Sequence, residues 1–255
     1  EESVSAEIEI LVAAAAALRA MGMPDDAYRI RVNNRELLAE LLAASGIAQD
    51  NHAAVFLALD KRGKISDDDI AVLLRAEGLG DDAINKTFEL LSIETLDQAA
   101  ALAGPDSPAL AALHELFALA EVYGIADRLV FDISVIRGLA YYTGIVFEAF
   151  DTQRKFRAIF GGGRYDSLLT TIGGAPTPAV GLGFGDVVVV EVLKELLGET
   201  AAAEKHGVVI GYMFPEQREA ATRLARSLRE QGERVDLMLA RLKPKQFFAR
   251  AGASD

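Results

Sequence analysis

Apolar residues recur at helical spacing near the start of the chain. The stretch "SAEIEILVAAAAALRAMG" reads as a helix capped by Ser5 and stopped by Gly22 and Pro24. The period then changes. "YRIRVNN" alternates Tyr28, Ile30 and Val32 against Arg29 and Arg31, which predicts a strand with one buried face. Asn34 stands where it can cap a following helix, "RELLAELLAASG". Helical spacing dominates from about Asn51 to Gly124, with a capping box at Ser66–Asp69 and Ser107 followed by Pro108 at a helix start. This Ala- and Leu-rich region, about residues 48–125, offers few groups suited to chemistry and reads as an inserted helical subdomain.

From Leu129 the texture becomes β-like. "LVFDIS", "GIVFEAF", "KFRAIF" and "AVGLGFG" are short segments separated by glycines and turns, which predicts an antiparallel sheet. "DVVVVEVLKELLG" reads as a helix by its length and charge spacing, and "ETAAAEK" as a linker. Beyond it, "GVVIGYM", "EQREAATRLARSLREQG" and "RVDLML" give strand, helix, strand: a βαβ unit, with "KPKQFFARAGASD" opening one more helix. The expected organisation is an α+β domain over residues 1–199 and a partial α/β domain over 206–255. A lone βαβ unit cannot cover both faces of its sheet, so the second domain is expected to be cut short.

Composition narrows the classes. Apolar residues make up 51% of 255, enough for a sizeable core, and no uncharged apolar run reaches membrane-spanning length. There is no cysteine, and the three histidines (His52, His114, His206) form no metal-ligand pattern, so no tightly bound protein metal site is expected. A net charge of −12 argues against broad non-specific nucleic-acid binding. The first residues, from Glu1, lack the basic leader of a signal peptide. The chain is expected to be a cytoplasmic piece of a longer protein, with no membrane partner.

Candidate chemistry gathers in the β-rich part. Gly161–Gly163, before Arg164, Tyr165 and Asp166, are either a bulge or turn after a strand or a place where a ligand meets bare backbone; their spacing fits no Walker A loop. Gly181, Gly183 and Gly185 alternate, so on a strand they strip one face, for a flat ligand such as adenine or for a crossing helix. Arg137 is a candidate for phosphate or carboxylate recognition, or a surface arginine at a strand end. Tyr141 and Tyr142, as strand neighbours, are expected to point to opposite faces. Arg218, Arg223, Arg226 and Arg229 ring the polar side of a helix, usually a solvated face.

The order "VIRGLAYYTGIVFEAF", "FGGGRYDSLL", "PTPAVGLGFG" resembles the histidyl-tRNA synthetases, class II aminoacyl-tRNA synthetases, and most closely the form of plant organelles and some bacteria. The resemblance runs over essentially the whole chain. It implies a class II antiparallel-sheet catalytic core with a helical insertion, then the start of an anticodon-binding domain. It also implies the activity: ATP-dependent activation of histidine to histidyl-adenylate and transfer to histidine tRNA, with Mg2+ accompanying ATP, in a homodimer. Arg137 would match the arginine at the α-phosphate, Tyr142 a tyrosine reading the imidazole, and Tyr165 and Tyr141 further pocket residues. Gly181, Gly183 and Gly185 would lie under adenine. Val188 stands where the family commonly has an adenine-stacking arginine, and Ala140 where many bacterial forms have aspartate. The resemblance places the family's first two class motifs upstream of Glu1, so the chain alone is expected to be inactive. A second resemblance, to the non-catalytic regulatory subunit of ATP phosphoribosyltransferase, lacks the C-terminal βαβ unit.

Overall fold

In the computed structural model a helix, α1 (Ser5–Ala20), opens the chain and buries Ile8, Leu11, Ala15 and Leu18. Ser5 is its first residue rather than its cap. The Ser3 carbonyl already accepts from the Ala6 N–H at 3.2 Å, so the turn starts upstream and Val4 takes the capping position. Residues 1–62, 64–138, 141–198 and 207–252 are described, and they divide into two units, Glu1–Leu196 and Leu197–Asp255.

In the first unit β1 (Tyr28–Asn34) runs into α2 (Arg35–Ala44), where the Asn34 side chain accepts from the Glu36 N–H at 2.9 Å. Then come α3 (Gln49–Leu59), α4 (Asp67–Ala76), α5 (Asp81–Leu90), α6 (Leu96–Ala103) and α7 (Pro108–Tyr123). The Ser66–Asp69 capping box forms, and the Ser107 hydroxyl accepts from Leu110 at 3.1 Å. That same hydroxyl donates to Glu40, tying α7 to α2.

The remaining strands are β2 (Leu129–Phe131), β3 (Ile145–Asp151), β4 (Phe160–Arg164) and β5 (Val180–Phe184). The short helix α8 (Leu168–Thr171) lies between the last two strands, and α9 (Asp186–Leu197) follows them. Among the described residues the sheet order is β2-β1-β3-β4-β5, antiparallel except for the β1–β2 pair. The class is α+β, as the sequence implies. One boundary moves: "KFRA" is not strand, and Gly161–Gly163 are strand interior rather than a turn. Their backbones pair on both sides, with Gly161 opposite Glu148 and Gly183.

Alternation gives this sheet two unlike faces. One carries Tyr28, Ile30, Val32, Ile145, Phe147, Ala149 and Phe160, all buried in the core, with α7 along β1 and α1 along β5. The other carries Arg29, Arg31, Glu148, Gly161, Gly163, Gly181 and Gly183.

On the core face Arg164 is buried with a full set of acceptors. It grips Glu7 of α1 through Nε at 2.6 Å and Nη2 at 2.7 Å, and reaches the Glu1 and Ser3 carbonyls at 3.1 Å each. The Glu7 hydrogen bond, ahead of burial, raises the guanidinium pKa.

In the second unit β6 (Val208–Ile210) and β7 (Val235–Leu237) pair in parallel across α10 (Arg218–Glu230), with α11 (Pro244–Gly252) after them. Ala221 and Ala225 pack on Ile210. The α10 arginines lie on a solvated face, where Arg226 pairs with Glu230 at 2.7 Å. The "ETAAAEK" segment lies outside the described residues.

Removing one partner of a buried pair strands the other charge. Glu7→Ala is therefore expected to lower unfolding free energy in urea by about 3–5 kcal/mol. Glu9→Ala, exposed on the same helix, should change it by no more than about 0.5 kcal/mol.

Candidate functional site

The polar face of the sheet needs groups that fit above bare backbone, and the segment between β2 and β3 supplies them. Arg137 pairs with Glu148 of β3, and its side chain is 22% exposed. Its guanidinium occupies the space where Gly161 would carry a Cβ, so a larger residue there would push the Arg137 side chain off the strand. Gly163 is closed chiefly by β3, its Cβ position lying 2.6 Å from the Ile145 carbonyl oxygen and 2.8 Å from Val146 Cγ1, with Tyr142 Cδ1 at 3.0 Å. The Tyr165 hydroxyl comes within 2.5 Å of the Cβ position at Gly181. At Gly183 the space is open. Gly161 and Gly181 thus seat side chains brought in from turns, Gly163 is closed mainly by β3, and Gly183 leaves bare strand.

The tyrosines form one cluster. Tyr141 and Tyr142 ring centroids are 4.8 Å apart, and Tyr165 stands edge-on to both, 5.7 Å from Tyr141 and 6.4 Å from Tyr142. Tyr141 and Tyr142 are not in a strand, because β3 starts only at Ile145. The expected opposition of the two rings therefore fails: in the turn before β3 both rings turn to Tyr165.

Beside the cluster lies a cleft of about 1030 Å³, walled by Arg31, Asp132, Arg137 and Glu148 of the sheet side and by Asp60, Arg62 and Lys64 after α3. The three tyrosines do not line it. Two of its sheet-side cations are paired, Arg31 with Asp132 and Arg137 with Glu148, while Arg154, which also lines it, lies over the Phe150 ring at 4.5 Å. Burial opposes ionisation of Asp132, but hydrogen bonds from Ser134 and Arg31 outweigh it and hold the carboxyl below the usual carboxylate range. Burial likewise opposes the Arg137 charge, and Glu148 more than restores it. Burial pushes the Tyr142 phenol up, against the pull of Arg137, so it keeps its proton at neutral pH.

Gly185 lies beyond the end of β5. Its N–H donates to the Ile159 carbonyl at 2.8 Å and its Cβ position is 3.4 Å from Val188 Cγ2, so it joins β5 to α9 rather than extending the stripped face. Val188, in α9, sits on that junction. Ala140 lies outside the described residues. Sequence reasoning missed Glu148 and Asp132. A lone acid in the apolar run "GIVFEAF" was the available signal for the first. Among the described residues no group of three or more His, Cys, Asp or Glu side chains is placed to hold a metal ion.

The family model described as Histidyl-tRNA synthetase matches residues 1–185. The histidine–tRNA ligase of chloroplasts and mitochondria from Arabidopsis thaliana is 41% identical over 250 residues, covering 97% of this chain and 51% of that protein. The histidyl-tRNA synthetase of Nostoc sp. PCC 7120 superimposes with a TM-score of 0.62 at 21% identity, covering 96% of this chain and 61% of that one. An ATP phosphoribosyltransferase regulatory subunit/histidyl-tRNA synthetase from Bacillus halodurans gives 0.68 at 24% identity, covering 98% and 64%. At these identities the two structures show the shared fold. The chain spans about half the length of the curated relatives it matches.

Two outcomes check the geometry. Gly162, on the core face, abuts the Gly181 carbonyl, so Gly162→Ala is expected to cost about 1–3 kcal/mol in chemical unfolding, whereas Gly183→Ala should leave stability near wild type. Folding lowers the Asp132 pKa, so its stabilising effect is complete above the unfolded value near pH 4 and is lost as pH falls through the folded one. Asp132→Asn should flatten that acid limb in a pH series of unfolding midpoints.

Proposed function

Because the chain belongs to the histidyl-tRNA synthetase family, we propose that it forms part of the catalytic core of a histidine–tRNA ligase. The observation that carries this reading is Arg137 held above Gly161 beside a cluster of three tyrosines, next to open strand at Gly183. In the first step a histidine carboxylate oxygen attacks the α-phosphorus of ATP, and the bond to pyrophosphate breaks. Arg137 supplies a fixed cation where charge builds on the α-phosphate. Its Nη1 is committed to Glu148 and the guanidinium also meets the Tyr142 hydroxyl, and the fork of five N–H groups keeps further donors for phosphate oxygens. Pairing with Glu148 also holds the fork in place before substrate arrives, so little reorganisation is needed at the moment of reaction.

Tyr142, protonated and buried, offers a hydroxyl to an imidazole nitrogen, and Tyr165 and Tyr141 complete a pocket of matching polarity. A side chain without ring nitrogens would leave those hydroxyls unpaired, which is a strong basis for rejection. Gly183 leaves room for the adenine plane, with Gly181 beside it under Tyr165 and Gly185 at the strand's end. Mg2+ enters with ATP as part of the substrate. In the second step a terminal ribose hydroxyl of histidine tRNA attacks the adenylate carbonyl carbon and AMP leaves.

In this reading residues 1–199 belong to the catalytic domain, with the helical insertion at about 48–125, and 206–255 begin an anticodon-binding domain in a homodimeric parent protein. The reading assigns the protein to the cytoplasm. None of the helices among the described residues is long and apolar enough to cross a membrane. A second reading, a regulatory subunit of ATP phosphoribosyltransferase, draws on the likeness to the Bacillus halodurans protein. That protein also covers the βαβ unit at residues 208–237, so the unit does not separate the two readings; the 41% identity with the Arabidopsis thaliana ligase over 97% of this chain favours the ligase.

The test is ATP–pyrophosphate exchange by the full-length protein with and without histidine. Exchange that requires histidine is expected, and Arg137→Ala should lower it by about 10²–10³-fold or more. Well-folded protein with no exchange would favour the regulatory reading.

A further inference from the structure

One residue grips both ends of the segment that carries Tyr141 and Tyr142. The Arg35 backbone N–H donates to the Gly144 carbonyl at 3.0 Å, and its Nη1 donates to the Arg137 carbonyl at 3.4 Å. Arg35 opens α2 directly after the capping Asn34, so its backbone direction is fixed by β1. Its guanidinium lies 4.7 Å from the ring centroid of Phe56 in α3. Asp60, at the end of that same helix, presses its carboxylate against Gly138. A Cβ there would fall 2.5 Å from Asp60 Oδ2 and 2.7 Å from its Cγ, so a side chain at this position would displace the Asp60 carboxylate. Burial disfavours the Arg35 charge, and Asp60 partly offsets this.

Between these contacts Arg137 adopts φ 55. A non-glycine residue keeps that left-handed conformation only where its surroundings impose it. The chemistry proposed above uses neither Arg35 nor Asp60, and both come from helical elements, the start of α2 and the end of α3, rather than from the sheet.

We infer that Arg35 and Asp60 are positioning residues that hold the Arg137–Gly138 backbone in its left-handed turn and thereby aim the Arg137 guanidinium over Gly161. The placement of the phosphate-binding arginine is then tied to the docking of the α2–α3 pair, so a shift of those helices moves the cation. Small displacements at a reacting centre are costly: about 1 Å can lower a rate by roughly 10²-fold. The inference rests on the reading of Arg137 as the α-phosphate cation.

The test uses the full-length protein, with Asp60→Asn and Arg35→Lys made singly and in combination with Arg137→Ala. Asp60 is partly solvated and paired with Lys64 at 3.6 Å, so neutralising it is expected to leave the unfolding midpoint close to wild type. Each single variant should lower kcat of histidine-dependent exchange by about 10-fold or more, with KM for histidine within about twofold. In single-turnover adenylate formation neither change should slow Arg137→Ala further, because the group they position is gone. Losses that multiply with that of Arg137→Ala, a change confined to KM, or no change would each overturn the inference. Should Asp60→Asn unfold, Arg35→Lys decides alone. A wild-type protein without histidine-dependent exchange overturns the functional reading and this inference together; active wild type with unaffected variants overturns only the inference.

Discussion

Alternation along paired strands forces every side chain of the first unit's sheet onto one of two faces, and everything else follows from how those faces differ. Tyr28, Ile30, Val32, Phe147 and Phe160 need helices above them, and α1 and α7 provide that cover. The opposite face needs the reverse. It carries charge and glycine around buried Asn33 and Val146, and groups brought in from turns cover it. A slip of one residue in the β3–β4 register would exchange the two faces, burying Glu148 and exposing Phe147.

The glycines on the polar face are a packing requirement before they are a binding surface. Gly161 and Gly181 make room for Arg137 and Tyr165, and Gly163 for the Ile145 carbonyl, Val146 and Tyr142. The Arg137, Tyr142 and Tyr165 side chains come from turns outside the strands, yet the strand backbone decides where they rest. Two cations of this face are paired with carboxylates, Arg31 with Asp132 and Arg137 with Glu148, while Arg29 donates to the Asp26 and Tyr28 carbonyls. The same logic governs Arg164 on the closed face. There burial is nearly complete, so the guanidinium needs carboxylate and carbonyl acceptors all round.

Much of this was legible from residue order. The alternation of "YRIRVNN", the Asn34, Ser66 and Ser107 caps and the helix at "DVVVVEVLKELL" all reflect interactions spanning four residues or fewer, and each is found where the pattern puts it. Errors arose where local signals were ambiguous. Glycine is usually a turn former, so Gly161–Gly163 were not read as strand, though neighbours on both sides supply the pairing that their own propensity lacks. Tyr141 and Tyr142 are β-favouring residues beside a strand, but the left-handed turn at Arg137 and the Arg35 contact to Gly144 keep them out of it.

By itself the sequence determined the α+β class, the helix and strand periods, and the motifs that mark the family, because each is written in contiguous residues. Only the tertiary structure decided which groups meet. Arg164 finds Glu7 across 157 residues, Arg31 finds Asp132 across 101, and Arg35 reaches the Arg137 carbonyl across 102. Such contacts leave no periodic trace, since their energy comes from strand register and helix docking that no local window contains.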